Sequence, residues 1–76
     1  MSRLPSITGL QAIETFERAG FQIDRIKGSH HVLVKEGHPY RLSVPVHKND
    51  TLPRGTLTRL IRDAGLTVEE FNKHRK

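Results

Sequence analysis

The stretch that decides the fold is "FQIDRIKGSHHVLVKEGHPYRLSVPV", residues 21–46. It contains three runs rich in β-branched and aromatic residues, FQIDRIK, HHVLVK and YRLSVPV. Such runs are typical of β-strands. The connections between them, at residues 28–29 and 36–39, are short enough for hairpins. The stretch therefore predicts a three-stranded antiparallel meander.

A helix is predicted on each side of these strands, at about residues 9–19 and 53–64. In both segments apolar residues recur at intervals of three and four, and a glycine follows directly, Gly20 or Gly65. A short third helix is predicted after Thr67. The first and third helices are each preceded by a threonine with a Gln or Glu three residues later, which is the spacing of a capping box.

The predicted order is α-β-β-β-α with a short extra C-terminal helix, in a single domain over residues 1–76. Runs of one element type beside another are typical of an α+β fold, with the helices packed on one face of the sheet. The other face of the sheet is then expected to be exposed to solvent. The polar set of the third strand is expected there: Arg41, Ser43 and His47. Its apolar set is expected beneath the helices: Tyr40, Leu42, Val44 and Val46.

The composition narrows the class of protein. A chain of 76 residues buries only about 60% of its unfolded surface, which argues against a deep enclosed substrate cavity. The absence of cysteine excludes disulfides, thiolate zinc sites and thiol nucleophiles. No apolar run approaches the roughly 20 residues that span a bilayer, and the N-terminus lacks a signal-peptide pattern. We expect a cytoplasmic protein that does not enter a membrane.

Positive charge is concentrated in the middle of the chain. The formal net charge is +5, yet residues 25–62 contain eight Lys and Arg against two acidic residues, a balance of +6. The first 24 residues sum to −1 and the last 14 to zero. A local positive field of this kind suits a phosphate backbone or an acidic protein partner, although charge of this sign also serves solubility.

Two adjacent histidines, His30 and His31, stand where the second strand begins. A histidine accepts or donates a proton at cellular pH without an elaborate environment, so either is a candidate for acid–base chemistry. In a strand the two side chains point to opposite faces, and the periodicity does not decide which one faces the core. The structural alternative is one partly packed imidazole and one surface polar group.

A metal site is a second alternative, because five histidines offer ring nitrogens. They are His30, His31, His38, His47 and His74. Catalytic zinc needs about three converging protein ligands, and the sequence has neither a helical His-x-x-x-His pair nor cysteine ligands. We therefore expect no metal and no other cofactor.

Gly28 also has two interpretations. It permits a tight turn with positive φ, or it lets the backbone approach a phosphate closely. The helix start in "LPRGTL", residues 52–57, has free N–H groups that are able to bind an anion, but every helix has such an end.

The chain resembles the HicA family of type II toxin–antitoxin systems over about residues 8–71. The resemblance is carried by the GSHH turn, the VPVH ending of the third strand and the segment LPRGTLTRLIRDAGL, in this order and spacing. It implies a double-stranded-RNA-binding-domain-like fold and ribosome-independent mRNA cleavage that arrests growth. It also implies neutralisation by a cognate HicB-type antitoxin that covers the active site.

The same resemblance implies that His30, which follows Gly-Ser, is the essential histidine. Six residues are predicted to contact RNA, because they lie beside His30 or on the basic central segment. They are Lys27, Gly28, Ser29, His31, Lys48 and Arg54. We expect His30 to help deprotonate a ribose 2′-hydroxyl while Lys27 and neighbouring cations stabilise the developing charge, without a metal.

Two other classes of function fit the same residues. A non-catalytic module that blocks translation by occupying RNA needs the same basic surface, because readers of double-stranded RNA use shape and phosphate contacts. A pure protein-interaction domain is the third class, and its binding to RNA would lack the salt dependence of phosphate contacts.

Overall fold

The computed structural model describes residues 3–75. The chain forms three helices and three strands in the predicted order. They are α1 (Gly9–Arg18), β1 (Gln22–Lys27), β2 (His30–Val34), β3 (Leu42–Pro45), α2 (Arg54–Asp63) and α3 (Val68–His74). None of the helices in this part of the chain is long and apolar enough to cross a membrane.

The helix ends follow the signals in the sequence. Thr8 caps α1 in a capping box with Gln11, and Thr67 caps α3 in the same way with Glu70. Each motif satisfies backbone N–H groups that the first turn of a helix leaves without partners. After α2, Leu66 N–H donates to the Ile61 carbonyl, and the glycine between them has positive φ. This is the Schellman arrangement, and α1 ends in the same way.

The sheet is an antiparallel meander in the order β1-β2-β3. Its first hairpin closes through Gly28 and Ser29, and Gly28 has a φ of +59°. A positive φ at the first central residue alone matches a type II′ turn, which glycine favours. The prediction of a three-stranded meander is confirmed.

The hydrophobic core lies between one face of the sheet and the helices. α1 and α2 both pack on β3, and α3 packs against both of them. At the centre, the rings of Phe16 and Phe71 lie 5.1 Å apart, and Phe21 meets Phe16 edge-on. Fully burying one such side chain contributes about 1.5–3 kcal/mol. This arrangement confirms an α+β fold with its helices on one face of the sheet.

The third strand is shorter than its sequence pattern suggests. Tyr40 and Arg41 belong to the predicted strand, but the observed strand begins after them, at Leu42. Within the strand, Leu42 and Val44 are buried and Ser43 is exposed, as the alternation predicts. Tyr40 was expected on the covered face, but it is 60% exposed. Its ring lies in the β2–β3 connection, with its centroid 6.1 Å from that of the half-buried His38 ring. Alternation fails there because the residue is outside the pleated strand.

Candidate nucleic-acid interface and active site

The hairpin turn fixes the position of His30, the first residue of β2. The Val46 N–H donates to the Ser29 carbonyl at 2.7 Å, which ties the turn to the chain just after β3. A Cβ added at Gly28 would meet nothing within 4 Å. Glycine is therefore needed there for its backbone conformation and not for space, which favours the turn interpretation of this residue.

His30 and His31 lie on opposite faces of the sheet. His30 is exposed, and its cross-strand partners are Lys27 on β1 and Pro45 on β3. His31 shares a face with the fully buried Leu33, two residues along the same strand. The face of His30 is thus the one opposite the helices, which we call the open face.

His31 is part of the packed layer. It is partly buried opposite Val44, and its Nδ1 atom is buried without a hydrogen-bond partner in the part of the chain that the structure describes. Its ring cannot reach a ligand on the open face without crossing the sheet. His31 therefore does not share a surface with Lys27 and His30, although the sequence analysis groups His31 with Lys27 as an RNA contact beside the catalytic candidate His30.

A β-bulge in β1 determines which of its side chains reach the open face. Ile23 pairs with Leu33, but Arg25 pairs with Val32, so Asp24 is an extra residue without a partner in β2. In an unbroken strand, Arg25 would share the face of Ile23. The bulge reverses the alternation after Ile23 and turns Arg25 to the open face together with Lys27.

The result is a basic groove on the open face, lined by Arg25, Lys27, Val32 and Arg41. Both arginines are paired with Asp24: its Oδ2 atom accepts from Arg41 Nη1 at 3.0 Å and from Arg25 Nε at 3.3 Å. These two hydrogen bonds, that of Arg41 first, hold the pKa of the Asp24 carboxyl below its ordinary value of 3.8.

The two remaining cations among the candidates lie farther along the chain. Lys48 is exposed in the turn after β3 and has a φ of +47°, a left-handed conformation that is unusual for a lysine. Arg54 is the exposed first residue of α2, whose N-cap residue Pro53 makes no side-chain capping bond. The turn containing Lys48 follows the strand that pairs with His30, whereas Arg54 belongs to the helix layer.

The histidines are dispersed. His38 packs its ring edge-on against Phe21, and its Nε2 atom lies 2.6 Å from the carbonyl oxygen of Asp63, the last residue of α2. Its role is thus to cap a helix, a function that the sequence does not suggest. Within residues 3–75, no three His, Asp or Glu side chains are grouped so that they could hold a metal ion.

Arg25 and Arg41 are not among the residues that the sequence singles out for RNA contact. For Arg41 a signal exists, because the alternation of the third strand places it with Ser43 on the wet face. For Arg25 the alternation points to the wrong face, since the bulge is not readable from the pattern. The bulge in β1 and the shared contact with Asp24 bring both arginines together.

The chain thus combines a small α+β fold with a basic open sheet face and an exposed histidine, and its sequence matches a known family. The family described as HicA toxin of bacterial toxin-antitoxin matches residues 10–66. The chain belongs to this family, which confirms the resemblance carried by the GSHH, VPVH and LPRGTL segments. No curated protein sequence gives a significant match to the chain.

Proposed function

We propose that this toxin is a ribosome-independent endoribonuclease that cleaves mRNA, with His30 as its general base. The observation that carries the proposal is the placement of an exposed imidazole directly across from Lys27 on a basic, open sheet face. An extended RNA strand reaches such a face easily because no cavity has to open. Family membership supports the toxin role.

In the proposed reaction, the neutral His30 imidazole takes the proton of a ribose 2′-hydroxyl. The 2′-oxygen forms a bond to the adjacent phosphorus atom, and the bond from phosphorus to the 5′-oxygen of the next nucleotide breaks. The proton held by the His30 imidazolium is released to solvent, which supplies a proton to the departing 5′-oxygen, so that His30 is neutral again and no net proton is gained or lost. The products are a 2′,3′-cyclic phosphate and a 5′-hydroxyl end.

Lys27 is assigned to charge stabilisation in this reaction. The phosphorane gains negative charge as the new bond forms, and a preplaced ammonium group lowers the energy of that state. DNA lacks the 2′-hydroxyl and should survive, and chelation of divalent ions should leave the rate unchanged.

The partner of a toxin in this family is a cognate antitoxin. We propose that the antitoxin covers the surface of His30 and Lys27 and presents acidic or apolar groups to it. The central charge balance of +6 supports this, because electrostatic steering would make association fast and salt-dependent. Co-expression should yield a co-purifying complex.

The test compares wild-type protein with His30→Ala in induced cells, each with and without the antitoxin. Wild-type protein alone should arrest growth, and His30→Ala should not. Purified proteins then act on RNA and on the matching DNA, and products are separated on a denaturing gel. Loss of a general base typically lowers the rate about 10²- to 10⁴-fold.

Two outcomes would decide against the proposal. Intact RNA after long incubation with excess wild-type protein would favour a module that acts by occupancy. Equal cleavage of DNA and RNA would exclude the 2′-hydroxyl as nucleophile.

A further inference from the structure

The basic groove contains two arginines that the proposed reaction does not use. Arg25 and Arg41 lie on either side of Val32, on the same face as His30. They come from different parts of the chain, one from β1 and one from just before β3. Their guanidinium groups converge because both donate to the same oxygen atom of Asp24.

Two local features are needed to make this groove. The bulge at Asp24 turns Arg25 to the open face, and the Asp24 carboxylate holds both side chains near each other. Bulges often re-aim a side chain beside a functional site. Each guanidinium has five N–H donors in a planar fork, so the bond to Asp24 leaves most of them free.

We propose that Arg25 and Arg41 form a phosphate-binding site that holds the RNA backbone beside the bond cleaved at His30. This inference rests on the proposed ribonuclease function. Val32 lies two residues from His30, or about 6.6 Å along the strand. A stacked nucleic-acid strand rises about 3.4 Å per nucleotide, so the bound phosphate lies one or two nucleotides from the scissile one.

The chemistry of the groove selects this ligand. Guanidinium groups bind phosphate oxygens in a bidentate manner, and such charge-assisted bonds are about twice as strong as neutral ones. Val32 forms an apolar floor, and the Asp24 carboxylate offsets one of the two positive charges while it holds the guanidinium groups together. The site therefore positions RNA without reading its sequence, as phosphate contacts generally do.

The binding experiment uses His30→Ala as the background, so that RNA stays intact. The affinity of a fluorescent single-stranded RNA is measured across a salt series, with and without the added pair Arg25→Ala and Arg41→Ala. Each neutralised phosphate contributes about 0.7 to the slope of log affinity against log salt, so loss of this one phosphate site should lower the slope by about 0.7. The affinity at low salt should fall about tenfold or more.

Matched variants control for charge and folding. Arg59→Ala with Arg62→Ala removes the same two charges from exposed guanidinium groups on α2 that have no ion-pair partner within residues 3–75, and this control should keep the slope. The double variant Arg25→Lys with Arg41→Lys keeps both charges, so it should retain most of the wild-type salt slope. Thermal unfolding should change little in every variant, because exposed ion pairs contribute little stability.

Kinetics on protein with His30 intact separate this site from the catalytic one. The double alanine variant should raise KM with kcat nearly unchanged, whereas His30→Ala lowers kcat. An unchanged salt slope, or a loss confined to kcat, would overturn the inference. A third outcome separates the two proposals. If the protein with both arginines shows the larger salt slope but wild-type protein does not cleave RNA, the phosphate site is supported and the ribonuclease proposal fails.

Discussion

Lys27 and His30 are direct partners across the β1–β2 hairpin, with both side chains on the face opposite the helices. Cα atoms of paired residues in antiparallel strands lie only about 4.5–5.5 Å apart. The strand register thus places the Lys27 and His30 side chains next to each other on one face of the sheet. The two-residue turn between them sets that register, which makes the turn part of the site.

The first prediction tests this pairing. Lys27→Ala should lower kcat for RNA cleavage about 10- to 100-fold, because the charge that develops on the phosphorane loses the cation that pairs with His30 across the hairpin. Lys27→Arg should retain more activity than Lys27→Ala. Lys73→Ala, on the exposed surface of α3, is the charge-matched control and should cleave normally. If Lys27→Ala kept the wild-type kcat in a single-turnover assay, the assigned role would be wrong.

The second prediction concerns His31. Because its Nδ1 atom is buried without a partner, His31→Leu removes an unsatisfied polar group and fills a similar volume. We expect His31→Leu to raise the free energy of unfolding by about 1 kcal/mol, and His31→Ala to lower it because of the cavity that it leaves. Urea denaturation measures both.

Cleavage distinguishes a structural role of His31 from a catalytic one. His31→Leu should retain RNA cleavage, since the side chain lies on the face away from His30. A stable His31→Leu protein without activity would show that His31 takes part in the reaction.

Much of the fold follows from local signals in the sequence. The capping threonines, the glycines after α1 and α2 and the two-residue hairpin depend on residues a few positions apart, so the pattern predicts them. The placement of His31 toward the core does not follow, because its strand has apolar residues on both faces. Only pairing with β3, where Leu42 and Val44 are buried, shows which face is covered.

The candidate site was predictable in part. The GSHH turn and its resemblance to a family single out His30, and the expected chemistry adds Lys27; the structure pairs the two across the hairpin. The bulge at Asp24 and the groove that it creates depend on long-range register. The capping role of His38 likewise depends on a contact with Asp63, 25 residues away. Such contacts leave no periodic signal.

The third prediction concerns that cap. His38→Ala should lower the free energy of unfolding by about 1–2 kcal/mol, because the last carbonyl of α2 loses a donor and Phe21 loses an edge contact. His47→Ala, which alters an exposed histidine, is the control and should change stability little. Equal melting temperatures for the two variants would contradict the capping role.

The fourth prediction is a pH dependence. Because the pKa of Asp24 is lowered by its bonds to Arg41 and Arg25, these pairs stabilise the fold fully above the ordinary carboxyl pKa of 3.8. Their contribution is lost as pH falls through the lowered pKa of the folded state. In a carboxyl NMR titration, the Asp24 midpoint should lie below 3.8 and move up in Arg41→Ala. An unchanged midpoint in Arg41→Ala, with Arg59→Ala as control, would count against the pairing.

The fifth prediction compares two helical glycines, Gly9 and Gly55. A Cβ at Gly9 would collide with the carbonyl oxygen of Pro45, the residue that pairs with His30 on β3. Gly9→Ala must therefore push α1 away from the end of β3, and we expect it to lower the free energy of unfolding by about 1–3 kcal/mol. A Cβ at Gly55 in α2 meets nothing within 4 Å, so Gly55→Ala should raise it by about 0.5–1 kcal/mol.

The same pair of variants links packing to the site. Displacement of Pro45 disturbs the strand beside His30, so Gly9→Ala should also lower kcat at temperatures where the protein remains folded. Gly55→Ala leaves that strand untouched, and its effect on stability should be seen without a matching loss of kcat. Thermal unfolding and cleavage assays on the same preparations provide both measurements. If Gly9→Ala were as stable and as active as wild type, α1 would not be what holds the end of β3 beside the histidine.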